Sequence, residues 1–208
     1  MALAGAGARV AVTDKNAEAA AALAKEIGGG AISAGLDVTS AGETAAVFDL
    51  VFKDFGGLDI LAANAGISTM NPVVDLTEAE WDANMDVNAK GIFLSNQAAV
   101  RRWLKSASPG VIVNTASLAG KIGAPLLAHY TASKFAVVGF TQALAREVGK
   151  QNIRVNCVCP GFVRTGMQER EIAWEGKLRG MAPEAVRAEY ISLTALGRIE
   201  EPEDVADT

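Results

Sequence analysis

A tyrosine and a lysine stand four residues apart in the stretch YTASK, at Tyr130 and Lys134, which on a helix is one turn and one face. A phenol with an ordinary pKa of about 10 works as an acid or base near neutrality only beside a cation that favours its ionised form. Lys134 is the cation in reach. Its compact, flexible ammonium also suits donation to the hydroxyls of a sugar. Ser117 precedes Tyr130 by thirteen positions and closes the apolar run GVIVNTAS, which reads as a buried strand. From that strand end its hydroxyl would hold a carbonyl or hydroxyl oxygen beside the phenol. Asn88 is the fourth candidate, a helical polar residue placed to link a water to the lysine and let protons leave. Such a set would move a proton to or from an alcohol or ketone oxygen. Taken singly, each residue has an ordinary alternative: a surface Tyr–Lys pair, a serine cap, a satisfied polar group on a helix.

A scaffold must bring these residues together. Met1 to Ala6 reads as the tail of a helix stopped at Gly7, and Ala8 to Thr13 as the strand that follows. Gly5 and Gly7 do not make a dinucleotide fingerprint. No strand precedes them, Val10 stands where a third glycine belongs, and a strand rather than a helix comes next. NAEAAAALAKEIG then predicts a helix stopped by Gly28 to Gly30, and AISAGLDV a short strand ending at Asp37. Ser40 with Glu43, and Thr77 with Glu80, predict two capping boxes. The first opens a helix carrying Val47, Leu50, Val51 and Phe55. LDILAAN is the next strand, followed by a long helix from about Val87 to Lys105. HYTASKFAVVGFTQALAREVG is a helix closed by Gly149, and IRVNCVCP a strand stopped by Pro160. Strands alternating with helices at this interval predict an α/β fold. It is a doubly wound, Rossmann-like parallel sheet with helices on both faces, in one domain over residues 1–208. Ligands of such a fold belong at the carboxyl ends of the strands. Asp14, Asp37, Asn64, Ser117 and the pair Pro160-Gly161 all fall there, although for Asp37 alone a turn role reads equally well.

Composition supports this. Half of the 208 residues are apolar, enough to cover both faces of a parallel sheet. A net charge of −5 with mixed signs argues against a nucleic-acid or anionic-membrane surface. No apolar run approaches the roughly 20 residues of a membrane span, and no leader pattern opens the sequence. Cys157 and Cys159, two apart in a strand-like run, read as free reduced thiols of a cytoplasmic protein rather than as a disulfide or a metal site.

ANAG (63–66), DVNAKG (86–91), NTAS ending at Ser117, YTASK (130–134) and PGFVRT (160–165), in this order and spacing, resemble the short-chain dehydrogenase/reductase family over nearly the whole chain. The resemblance implies that Asn88, Ser117, Tyr130 and Lys134 are the catalytic set, with Tyr130 the acid/base for hydride transfer to or from a nicotinamide. By it, Asn64, Ala65 and Gly66, Asp37 with Val38, and Pro160, Gly161, Val163 and Thr165 line the cofactor together with Tyr130 and Lys134. Asp14 ends the strand where such enzymes read the adenosine ribose. A carboxylate there accepts from ribose hydroxyls and repels a 2′-phosphate, which favours NAD over NADP, and Lys15 beside it weakens that preference. The resemblance also implies a small alcohol or ketone substrate and a homo-oligomer, tetramer or dimer. Its interface would be formed by the helices around Asn88 and Tyr130, whose outer faces carry Phe93 and Phe140.

The sequence departs from the family pattern. Members begin with a strand and a T-G-x-x-x-G-x-G loop, so the chain is expected to lack that strand and loop, and also the last strand. Buried backbone groups on the flanking strands would then go unpaired, at about 1–3 kcal/mol each, and dinucleotide would bind weakly or not at all. Ala63 stands where asparagine is usual. The segment Thr165 to Ser192 corresponds to the lid over the substrate. Glu169, Glu171, Trp174 and Arg179 are its candidates for recognising hydroxyls, unless it is a solvated helical pair. His129, the one histidine, is expected behind the site or at the surface. Three functions follow: an NAD-dependent dehydrogenase of sugars or polyols, an NADPH-dependent 3-oxoacyl reductase, or an inactive chain.

Overall fold

The computed structural model describes residues 1–208. The chain runs through α1 (Ala2–Gly5), β1 (Ala11–Asp14), α2 (Ala17–Ile27), β2 (Ile32–Gly35), α3 (Ala41–Phe55), β3 (Ile60–Ala63) and α4 (Glu78–Asn84). It continues through a π-helical turn (Met85–Lys90) into α5 (Gly91–Ser106), β4 (Gly110–Thr115), α6 (Ala128–Val148) and β5 (Ile153–Val158). The helices α7 (Gly166–Arg179), α8 (Pro183–Leu193) and α9 (Pro202–Ala206) end it. The order is that of an α/β fold with parallel strands flanked by helices. The chain forms two compact units.

The first unit comprises Met1–Ala65, Lys90–Asn114 and Thr141–Asn156. Here β1 pairs parallel with β2, Asp14 opposite Gly35, and β3 pairs parallel with β4, Ala63 opposite Asn114. The strands hydrogen-bond as two sheets, β1-β2 and β3-β4-β5, rather than as one. On β3, Ile60 is 40% exposed and Ala62 is also exposed. One core joins α3, α5, α6 and the three-stranded sheet through Phe48, Ala99, Trp103, Ile112, Val148 and Ile153. The Trp103 indole donates to the Leu58 carbonyl at 2.5 Å, so its one polar atom is satisfied. Asn96 and Asn114 exchange amide hydrogen bonds at 2.8 and 3.1 Å, and Asn114 also donates to Thr141 Oγ1 at 3.0 Å. This buried knot ties α5, β4 and α6 together just before β4 ends.

The local signals hold with small shifts. The chain turns at Gly7 (φ 91°) after α1, and Asn16 caps α2 by accepting from the Ala19 amide at 3.0 Å. Thr77 and Glu80 form the expected capping box. Ser40 accepts from the Glu43 amide at 3.2 Å, but the Glu43 carboxylate reaches the Asp37 amide at 2.9 Å instead of closing the box. The expected long helix begins earlier, at Met85, and its first six residues are π-helical.

The second unit comprises Gly66–Ala89, Thr115–Phe140 and Cys157–Thr208. Its own core is Ile172, Val186 and Tyr190 with Phe162, whose ring stacks on Tyr190 at 4.2 Å between centroids. Glu200 holds the stretch after Pro160 by backbone pairing, its amide donating to the Phe162 carbonyl at 2.8 Å and its carbonyl accepting from the Arg164 amide at 2.8 Å. No helix is long and apolar enough to cross a membrane.

Candidate active site

The start of α6 presents Tyr130 and Lys134 one turn apart. The Lys134 ammonium sits 5.6 Å from the centroid of the Tyr130 ring and donates to the Thr115 carbonyl at 2.9 Å. Lys134 is 4% exposed and is in no ion pair. Burial pulls its ammonium down to about 8, and Cys159 counters this only in part.

Ser117 caps a short 3₁₀ turn, Leu118–Gly120, its hydroxyl oxygen accepting from the Ala119 amide at 3.1 Å. The serine is therefore a cap, and its proton is still free to be donated. Gly120 lets the turn rest directly on α6, because a Cβ there would lie 2.8 Å from the Lys134 carbonyl oxygen. Through this contact the turn keeps Ser117 beside the phenol. Burial raises the Tyr130 pKa, the Ser117 hydroxyl lowers it, and the Glu171 carboxyl raises it again. The lowering expected from Lys134 is not what sets this phenol. The ammonium lies over the ring face and is turned toward Thr115, so burial wins.

Asn88 is fully buried in the π-helical turn. Its Oδ1 accepts from the Ile67 amide at 2.8 Å, and its Nδ2 donates to the Ile67 carbonyl at 2.9 Å and to Ser133 Oγ at 3.0 Å. Ser133 in turn donates to the Tyr130 carbonyl at 2.7 Å. Both amide hydrogens are taken, so the side chain clamps the loop at Ile67 to α6. His129 is fully buried rather than at the surface, its Nε2 hydrogen-bonded to Thr69 Oγ1 at 2.6 Å. Burial depresses its pKa, against a smaller opposing pull from Glu80.

The remaining residues implied for a cofactor divide between the units. In the first, Asp14 is exposed and takes the Asn16 amide at 2.8 Å on one oxygen, leaving the other open. Lys15 does not lean on Asp14; it pairs with Asp37 at 2.8 Å. That pair, with the Thr39 hydroxyl at 2.7 Å and amide at 3.0 Å, holds the Asp37 carboxyl far below the usual carboxylate range. Val38 packs against Leu36, Val47 and Val51, while Asn64 and Ala65 are exposed. In the second unit Gly66 is half-buried, the Pro160 carbonyl accepts from the Leu118 amide at 2.7 Å, and the Gly161 amide faces the Glu200 carboxylate at 3.4 Å. Val163 bridges to Glu200, and Thr165 caps α7 by accepting from the Gln168 amide at 3.3 Å.

The helices α7 and α8 are laced by ion pairs. Glu169 binds Arg187 at 2.6 Å, and Arg179 binds Glu175 at 2.5 Å and Glu189 at 2.7 Å. Glu169 and Arg179 are thus spent on this helical pair. Glu171 is not, and burial raises its pKa. Three groups escaped the sequence reading: Ser133, the Thr115 carbonyl and the buried Ser68. The available signal for Ser133 was a small polar residue three after Tyr130, on the same helix face.

A family model described as short chain dehydrogenase matches residues 1–176. The chain is 39% identical over 176 residues to the L-2,3-butanediol dehydrogenase of Corynebacterium glutamicum, covering 85% of this chain and 68% of that protein. It is 38% identical over 203 residues to the D-threitol dehydrogenase of Mycolicibacterium smegmatis, covering 96% and 74%. The crystal structure of an actinorhodin polyketide ketoreductase with NADPH superposes with a TM-score of 0.92 at 30% identity, covering 99% of this chain and 80% of that one. The chain belongs to the short-chain dehydrogenase family, whose members are oxidoreductases of alcohols and ketones with a Rossmann fold.

Proposed function

We propose that the chain is an NAD-dependent dehydrogenase of a small secondary alcohol of polyol type, working in the cytoplasm as one catalytic domain and as a homo-oligomer. The observation that carries this reading is the half-buried Tyr130 phenol, with the Ser117 hydroxyl beside it and the Lys134 ammonium one turn on.

The residues fit a nicotinamide dinucleotide by their donor chemistry. Lys134 has three N–H donors, of which the Thr115 carbonyl takes one, and no carboxylate neutralises it, so two remain for ribose hydroxyls. Asp14 keeps an open carboxylate oxygen for hydroxyls at the adenosine end, and Lys15 is held on Asp37, which supports NAD. Such a cofactor, when bound, would take or supply the hydride at the substrate carbon. Ser117 would donate to the substrate oxygen. Tyr130, kept protonated by burial, would give its proton to that oxygen in the reductive direction and must first lose it in the oxidative one. Asn88 and Ser133 would fix the helical turn that carries the phenol. The similarity to butanediol and threitol dehydrogenases supports a polyol-type substrate.

The test is turnover of 2,3-butanediol and of threitol with NAD and with NADP. A preference for NAD of tenfold or more in kcat/KM, on the order expected for a carboxylate at the ribose, supports the reading. Faster turnover with NADPH on a 3-oxoacyl ester, as the NADPH-bound ketoreductase suggests, would replace it, and failure of both cofactors to bind would leave an inactive chain. Light scattering at several concentrations tests the oligomer, with a monomer mass throughout as the contrary result.

A further inference from the structure

The three carboxylates of α7 are treated differently by the fold. Glu169 and Glu175 are ion-paired, at 2.6 and 2.5 Å. Glu171 has no cation in ion-pair contact, although it is the one whose charge bears on the Tyr130 phenol. Against its carboxyl lies Ser68, which is 7% exposed and whose hydroxyl makes no hydrogen bond of normal length to any group. Gln168, three residues before Glu171 and so on the same face of α7, is 5% exposed, and its side-chain nitrogen is likewise unpartnered. A half-buried carboxyl, a buried hydroxyl and a buried amide, none fully used by the protein, are an unstable arrangement unless something polar completes it.

We propose that Glu171, Ser68 and Gln168 form a subsite for a second hydroxyl of the substrate, next to the carbon that reacts at Tyr130, so that the enzyme selects vicinal diols over simple alcohols. This rests on the alcohol–ketone chemistry proposed above. Glu171 accepts from the second hydroxyl, the Gln168 amide donates to its oxygen, and Ser68 does either. A simple alcohol leaves all three unsatisfied. A site built for a hydroxyl discriminates strongly against a ligand that lacks it.

The probes are 2,3-butanediol and 2-butanol, which differ by that hydroxyl, titrated by ligand-observed NMR with NADH present against the wild type, Glu171→Gln and Ser68→Ala. The diol should bind the wild type at least about tenfold tighter than 2-butanol. Glu171→Gln should lose about tenfold for the diol and leave 2-butanol within twofold, and Ser68→Ala should lose less in the same direction. The subsite is overturned if the diol loses less than twofold in Glu171→Gln, if both ligands weaken equally, or if the wild type does not prefer the diol. Turnover separates this from the parent reading. A diol preference in binding together with full activity of Tyr130→Phe would leave the subsite standing and remove the proposed chemistry.

Discussion

The Lys134 ammonium donates to the Thr115 carbonyl at 2.9 Å and has no carboxylate beside it. A buried charge answered only by a carbonyl and an aromatic face lowers the stability of the fold, and is kept where its unused donors have another task. Lys134→Met should therefore leave the melting temperature unchanged or raise it, and weaken NADH by about tenfold or more, the scale of a lost charged hydrogen bond. Calorimetric melting and fluorescence titration measure the two sides. A sharp fall in melting temperature with NADH affinity intact would make Lys134 structural.

The same lysine gives a pH signature. Its pKa falls from 10.5 to about 8 on folding, so between those values the unfolded chain holds the proton that the folded chain has released. Stability should then rise with pH from about 8 to 10.5 through this group. Urea denaturation of wild type and Lys134→Met across that range should show the rise only in the wild type.

His129 acts in the opposite window. Burial lowers its folded pKa below the ordinary 6.5, so its contribution is fully present above 6.5 and is lost as pH falls below that value toward the folded pKa. Denaturation midpoints at pH 7.5 and 5 should separate more in the wild type than in His129→Asn. Equal separations would mean that another group carries the acid sensitivity.

Gly120 tests how the serine is placed. A Cβ there would stand 2.8 Å from the Lys134 carbonyl oxygen, so Gly120→Ala must lift the turn off α6. It should destabilise the chain by about 1–3 kcal/mol and reduce kcat more than NADH affinity. A variant of full stability and rate would show that the turn and the helix move independently.

Much of this was legible before the fold. Gly7, Asn16 and the Thr77–Glu80 box mark their helix ends because caps depend on neighbours in sequence. The Ser40–Glu43 box fails because Asp37, six residues before Glu43, offers the carboxylate a competing amide. Tyr130 and Lys134 share a helix face as spacing requires, yet spacing could not show that the ammonium would turn to Thr115. The clamp role of Asn88 and the burial of His129 depend on partners 21 and 60 residues away, Ile67 and Thr69, and no local pattern encodes them. Glu169 is exposed and paired with Arg187 on another helix, whereas Glu171 is partly buried and unpaired, a difference that no local pattern encodes.

The most direct test of the central claim is the turnover of Tyr130→Phe beside its affinity for NADH. The phenol as acid/base predicts a loss of roughly 10²–10⁴ in kcat for 2,3-butanediol oxidation, with NADH binding within threefold of wild type. A Tyr130→Phe enzyme that binds NADH and oxidises the diol at the wild-type rate would contradict it.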